Sequence, residues 1–264
     1  MSQPFYLRPG EWGEKSRKVE VLLAKERAAV LVQPEPNPES TADQATTTLQ
    51  TVLRQRISER QPPPFASNWT GASAIFSLPC PGPVVFAGDR ETYSTLREEY
   101  GSEQWSLHFL LLVRKGPQKD FLSCDLPVAL HRDGTRSLIS HKTGKQAKTV
   151  FKRVHDESTL SLWLAQTSFL RPDQIRLHAA ECGLEIAGES IYGSVEPLTR
   201  EDLPGQRHPG GKGFVLVAGP AIHLLHLFIP SLSPIAFHGR PSKPIQKWID
   251  SQAGLVDLEV SQEL

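Results

Sequence analysis

Cysteine is scarce in this sequence: Cys80, Cys124 and Cys182 are scattered and odd in number. That excludes a disulfide framework, and no pair has metal-ligand spacing, so the pattern is that of reduced thiols in a cytosolic protein. Long apolar runs are missing too. None approaches the roughly 18–20 residues of a membrane span, so no membrane partner is expected. Met1 to Gly10 hold two prolines and no apolar core, so no secretory signal is expected there. Without export, the sequon Asn68-Trp69-Thr70 carries no meaning. Charge of one sign is also absent, since 29 basic and 29 acidic residues cancel to a net charge of +0. This weighs against gripping nucleic acid by bulk electrostatics and leaves a local basic face open. No Gly-x-Ser-x-Gly elbow or Cys/His pairing supports a hydrolase. His208-Pro209-Gly210-Gly211-Lys212-Gly213 lacks the spacing of a phosphate loop and reads as a loop.

The apolar periodicity that is present predicts many strands with interspersed helices. Residues 1–18 read as an irregular tail. Val19 to Val32 read as two short strands around the turn Lys25-Glu26-Arg27. Thr46 to Arg60 carry apolar residues at 49, 52, 53 and 57, which is helical spacing, and Gln61-Pro62-Pro63-Pro64 ends that helix. Pro83 to Ala87 read as a buried strand, and Asp89 as the N-cap of a helix through Arg90–Tyr100. Leu107 to Val113 form the strongest strand. Ser137–His141 and Ala147–Val154 read as strands around a turn at Thr143-Gly144-Lys145, and Thr159–Gln166 as another. Pro172–Cys182 read as a helix with Gly183 as its C-cap glycine. Glu201–Gly213 read as a loop, Phe214–Val217, Ile222–Phe228 and Ile235–His238 as strands, and Lys243–Ser251 as a short helix. Elements that do not strictly alternate give an α+β class.

Arg132, Arg136, His141, Lys142, Lys145, Lys148, Lys152 and Arg153 cluster along the chain. Alone, this is a solvated face of a hairpin and strand. His223 and His226, three apart on a strand, face opposite sides and do not make a metal site.

The most informative stretch is Phe169 to Gly193. Gln174-Ile175-Arg176-Leu177-His178, then Gly183, Gly188 and Tyr192-Gly193, resembles the third signature of the RluA-type pseudouridine synthases. The register extends further. Leu107–Gly116 is similar to a family strand, His141–Thr149 to its Gly-Lys-x-Ala-x-Thr turn, His223–Pro230 to a strand near its end, and Val30–Pro34 to its Val-x-Lys-Pro segment. Pro81–Ala87 resemble the tail of the signature that carries the catalytic aspartate. The resemblance covers about residues 19–250, and it implies one pseudouridine synthase-like domain over 19–264 with a mixed, mostly antiparallel sheet core and flanking helices. It implies no cofactor, nucleotide or metal, and structured RNA, ribosomal or transfer, as the partner.

In that register the aspartate falls on Ser77, and the His, Arg and Leu before it on Ala74, Ile75 and Phe76. The Thr-Ser pair falls on Cys80-Pro81. A carboxylate is ionised at neutral pH, whereas a serine hydroxyl needs an adjacent base, and Phe76, Leu78 and Pro79 supply none. Pro62–Pro81 contain no Asp or Glu. The family's active-site tyrosine falls on Phe109, which keeps a stacking face for a flipped base and loses the hydroxyl. The basic residue that pairs with the aspartate falls on Arg176. Deprived of that partner, it is expected to face water, an RNA phosphate, or another carboxylate such as Asp173 or Glu181.

Three readings follow. One is a degenerate pseudouridine synthase-fold protein that binds RNA without isomerising uridine, with Arg171, Arg176, Lys142, Lys145 and Lys148 on phosphates and Phe109 stacking. Another is an active isomerase using a displaced carboxylate. The third is a protein-interaction module that has left RNA behind.

Overall fold

Short apolar runs fold into strands and 3.6-period runs into helices across the residues described by the computed structural model: 5–34, 48–76, 78, 80–156, 159–203, 214–217 and 219–251. Where the sequence reads as one domain, the contacts gather into two units. One comprises Met1–Trp105 with His226–Gly239, the other Ser106–Leu225 with Arg240–Leu264. The class is α+β, with four α-helices among the described residues. None of the described helices is long and apolar enough to cross a membrane.

In the first unit, β1 (Phe5–Leu7) pairs antiparallel with β2 (Arg17–Val19). The segment expected to be an irregular tail therefore contains paired strands. Phe5 and Leu7 alternate inward around exposed Tyr6, a pattern too short to read without its partner strand. β3 (Val21–Ala24) and β4 (Ala28–Gln33) flank the expected turn. Helix α1 (Leu49–Ser58) buries Leu49, Val52, Leu53 and Arg56, one face at i, i+3, i+4 and i+7. Arg56 stays buried because its guanidinium bonds Glu11 and the carbonyl of Tyr6. β5 (Ser73–Ala74) and β6 (Gly82–Ala87) complete a sheet of order β3-β4-β6-β5. Helix α2 (Arg90–Gly101) starts where Asp89 Oδ1 accepts from the amide of Thr92 at 2.8 Å. That bond to an unpaired first-turn amide holds the Asp89 carboxyl below its ordinary pKa and accounts for the residue as a cap.

The second unit is built on β7 (Ser106–Lys115), whose seven successive buried residues, Leu107–Val113, explain its continuous apolar run. β8 (Phe121–Cys124), β9 (Val128–Leu130), β10 (Ser137–Ile139), β11 (Thr149–Asp156) and β12 (Ser161–Thr167) follow. Helix α3 (Gln174–Glu181), β13 (Glu185–Ile186) and β14 (Ile222–Phe228) come next. The order is β14-β7-β12-β11-β8, with β13 also on β7. Each pairing of described register is antiparallel. Beyond Leu225, β14 runs into the first unit, where His226 and Leu227 pair with β15 (Phe237–His238). The strands expected around Thr143-Gly144-Lys145 do not pair with each other. β10 pairs with β9, and β11 lies between β8 and β12. Phe214–Val217 contributes only a bridge from Val215 to Thr199 rather than the expected strand.

Helix α4 (Lys243–Ser251) matches its expected span and turns Ile245, Trp248 and Ile249 into a cluster with Leu110, Leu112, Leu162, Leu164 and Leu225. Trp248 is the largest side chain in that cluster. We expect Trp248→Ala to lower unfolding stability by about 4 kcal/mol, the cost of an unfilled aromatic cavity. Urea unfolding followed by circular dichroism measures this, and a loss below about 1 kcal/mol would mean that α4 contributes little to this core.

Candidate nucleic-acid interface

The signature stretch folds around α3, and polar side chains determine where α3 sits. Gln174, at its first turn, is 0% exposed. Its Oε1 accepts from the amide of Arg171 at 2.8 Å. Its Nε2 donates to the Lys148 carbonyl at 3.0 Å and lies 3.1 Å from the hydroxyls of Thr149 and Thr167. One amide side chain thus ties α3 to both β11 and β12. A buried amide must be satisfied in this way, since an unpaired one costs free energy. His178, one turn further along, bonds the Thr149 hydroxyl at 3.0 Å and the Leu126 carbonyl at 2.9 Å.

Arg176 leaves the opposite side of α3 and meets Glu189. Nε and one Nη donate to the two Glu189 oxygens at 2.7 Å each, a bidentate fork. A second Nη donates to Asp173 at 3.3 Å. The expected i,i+3 pair with Asp173 is present, whereas Glu189, which sequence reasoning missed, is the main partner. Glu181 makes no ion pair with Arg176. Glu189 is 3% exposed and also accepts from the amides of Ile191 and Tyr192 at 2.7 and 3.0 Å. Burial alone would raise its pKa, but the guanidinium and the two amides together hold it below the ordinary value of 4.5. Gly188 delivers Glu189 to this position. It adopts φ +81°, and a Cβ there would lie 2.3 Å from the Gly219 carbonyl oxygen.

Asp173 carries the network onward. It sits before α3 in a left-handed conformation, φ +53°, and its side chain does not cap the helix. Its carboxylate instead accepts from the Tyr192 hydroxyl at 3.0 Å and the Ser137 amide at 3.3 Å. The Tyr192 ring lies under Arg176, 5.4 Å from the guanidinium carbon. Burial, the largest cause, pushes the Tyr192 phenol up to about 12, so it stays a hydrogen-bond donor. The motif pair Tyr192-Gly193 was visible in the sequence, but its bond to Asp173 was not.

The cations expected to touch phosphate separate into two groups. Arg176 is half-buried and occupied by carboxylates. Lys142, Lys145 and Lys148 are exposed on the segment between β10 and β11. That segment is pinned, because the Ser140 amide donates to Pro127 and Lys145 exchanges backbone hydrogen bonds with Val128. Gly144 closes the turn where a Cβ would lie 2.4 Å from the Ser140 carbonyl oxygen. Arg171 joins the lysines. Its Nε reaches the Gln146 carbonyl at 3.4 Å, and its guanidinium lies 4.3 Å over the Phe169 ring. Arg153, from the same basic run, is instead tied to Asp120 and Asp156.

Phe109 requires a correction. It is 1% exposed within β7, opposite Ala165 of β12, and presents no open face for a base. The strand's burial on both sides is the reason. Ala74, Ile75 and Phe76 belong to the first unit. There Ile75 and Phe76 are buried, and Phe76 packs on Tyr100 and Trp105. Ser77 lies outside the described residues.

No family model matches the sequence. A curated protein of Aquifex aeolicus, described as an uncharacterized RNA pseudouridine synthase, is 27% identical over 115 residues. The match spans 42% of this chain and 36% of that protein's length. Among solved structures, human RNA pseudouridylate synthase domain containing 4 superposes with TM-score 0.62 at 14% identity, covering 88% of this chain and 92% of that one. Human RNA pseudouridylate synthase domain containing 1 does so with TM-score 0.52 at 17% identity, covering 90% and 96%. The fold is pseudouridine synthase-like.

Two outcomes test this network. Glu189→Ala strands the Arg176 charge and should cost about 3 kcal/mol of stability, part of which Arg176→Met in the same chain should restore. Because the folded pKa of Glu189 lies below its unfolded value, near 4.5, its stabilisation is fully present above that value and is lost as pH falls through the folded pKa. Glu189→Gln should therefore flatten the acid limb of the stability–pH curve. An unchanged limb would assign acid sensitivity to other carboxylates.

Proposed function

We propose that this chain is an RluA-like, pseudouridine synthase-fold protein that binds structured RNA, ribosomal or transfer, and does not isomerise uridine. The observation that carries this reading is the state of the carboxylates around Arg176. In the family that the sequence resembles, the corresponding basic residue pairs with the catalytic aspartate. Here the aspartate position is Ser77, and Pro62–Pro81 contain no Asp or Glu. Arg176 is taken instead by Glu189, whose oxygens are engaged by a guanidinium and two backbone amides. A carboxylate so buried and so engaged lacks the access to attack a sugar or base.

Asp173 favours a second reading, that of an active enzyme with a displaced carboxylate. It lies beside Arg176 and is only partly buried. Its two oxygens are nonetheless taken by Arg176, Tyr192 and Ser137. This supports a structural role over a chemical one.

RNA contact falls to Arg171, Lys142, Lys145 and Lys148, which the geometry gathers, rather than to Arg176. Binding would be carried by phosphates and would depend on salt accordingly. Three free thiols suit a reducing, cytoplasmic location.

Replacing Lys142, Lys145 and Lys148 together with alanine should weaken binding to structured RNA. It should also lower the slope of log affinity against log salt by about 0.7–0.9 for each phosphate no longer neutralised. Filter binding across a salt series reads both, and no binding by the unaltered chain would favour a protein-interaction role. Single-nucleotide pseudouridine mapping of total RNA, with and without this protein, tests catalysis. An unchanged map is expected. Loss of one defined pseudouridine would overturn the inactive reading, and Asp173→Asn would then be the first variant to map.

A further inference from the structure

We propose that an apolar groove beside α4, rimmed by Arg200, Lys243 and Lys247, is the docking site of the acidic segment 252–264 of this same chain. The inference does not depend on RNA binding. The groove lies wholly within the second unit. Leu203, Phe214, Leu216 and Pro244 form its walls, and its volume is about 220 Å³. Phe214 is 72% exposed, the most exposed large apolar side chain among the described residues. The volume falls below the roughly 300–1,000 Å³ of a pocket for a drug-sized ligand, so the groove suits side chains of a longer chain.

The charged residues that line the groove are all cationic. Lys243 and Lys247 are one turn apart on α4, so two like charges share a face, and the first turn of α4 has no acidic residue. Asp202, two residues from Arg200, is bound by Arg114, and Asp250 accepts from the Gln246 side-chain amide. An occupant must therefore bring apolar side chains for the walls and carboxylates for the rim. A polynucleotide answers the cations but offers no aliphatic group to Leu203 and Leu216.

The sequence that follows α4 supplies both. Residues 252–264 carry Asp257, Glu259 and Glu263 and no Lys, Arg or His. Val256, Leu258 and Val260 alternate with Asp257 and Glu259. In an extended chain such alternation turns apolar side chains to one side and carboxylates to the other. The long stems of Lys243 and Lys247 let their ammonium groups reach across the rim to those carboxylates. The connection is short enough to allow this. The nine residues of α4 are about 13 Å long, and an extended chain advances about 3.3 Å per residue. A chain that reverses after Ser251 therefore brings 255–260 past Lys247 and Lys243. Attachment to α4 keeps the local concentration of the segment high, so modest contacts suffice.

The test uses an equal mixture of ordinary and isotope-labelled full chain, dilute and native. A zero-length carbodiimide, which joins an amine to a carboxylate only where the two touch, is added, and the digested product is mapped by mass spectrometry. The expected result is peptides joining Lys243 or Lys247 to Asp257 or Glu259, with both halves carrying the same label. Leu258→Ser keeps every charge and should lower the yield by removing an apolar contact. Exchanging the charges, with Lys243→Glu and Lys247→Glu alongside Asp257→Lys and Glu259→Lys, should still give peptides joined between the same positions. Lys243 and Lys247 are exposed, so these variants leave the core intact. The proposal is overturned if no peptide is joined at these positions, or if Leu258→Ser leaves the yield unchanged. Joined halves of mixed label would show a second copy as the occupant and equally overturn it.

Discussion

A guanidinium taken out of water must be met by carboxylate, and around Arg176 the second unit is arranged to do so. Glu189 supplies a two-pronged partner, Asp173 a third bond, and Tyr192 a ring beneath the charge. Each of these residues is itself held by others. Gly188 adopts a backbone that side chains resist, Asp173 sits in a left-handed conformation, and Ser137 donates its amide to both Asp173 and Tyr192. Such a network is useful only when complete, because any unpaired member would leave a charge or polar group stranded. It links α3 and the loop after β13 to the start of β10.

That completeness bears on function. The Arg176 cation is met by carboxylates built into the same fold, and those carboxylates are themselves held by further backbone and side-chain donors. The network that stabilises α3 therefore keeps Arg176, Glu189 and Asp173 engaged with one another. Exposed lysines lie on the turn between β10 and β11, where backbone hydrogen bonds to Pro127 and Val128 pin the segment. Arg171 is brought to this turn by the same helix start that Gln174 anchors.

The local pattern of the chain was readable where a single element carries its own signal. The 3.6-residue spacing at Leu49, Val52 and Leu53, the Asp89 cap, the continuous run of β7, Gly183 after α3 and the span of α4 all follow from interactions within one segment. So did the Asp173–Arg176 pair, which is one helical turn apart. Strands that need a distant partner were harder. β1, β8 and β9 are three or four residues long, and their pairing, not their composition, makes them strands.

What the sequence by itself determined is therefore the class, the order of the main elements, the resemblance carried by residues 169–193, and the absence of Asp or Glu from Pro62–Pro81. Those depend on residue identity and spacing along one chain. Tertiary structure alone decided that Glu189 takes Arg176, that Phe109 is closed between strands, and that Arg171 joins the lysine turn. Each of these is a contact between segments well separated in sequence or a consequence of burial. Periodicity says which face of an element is apolar, but not which other element will cover it.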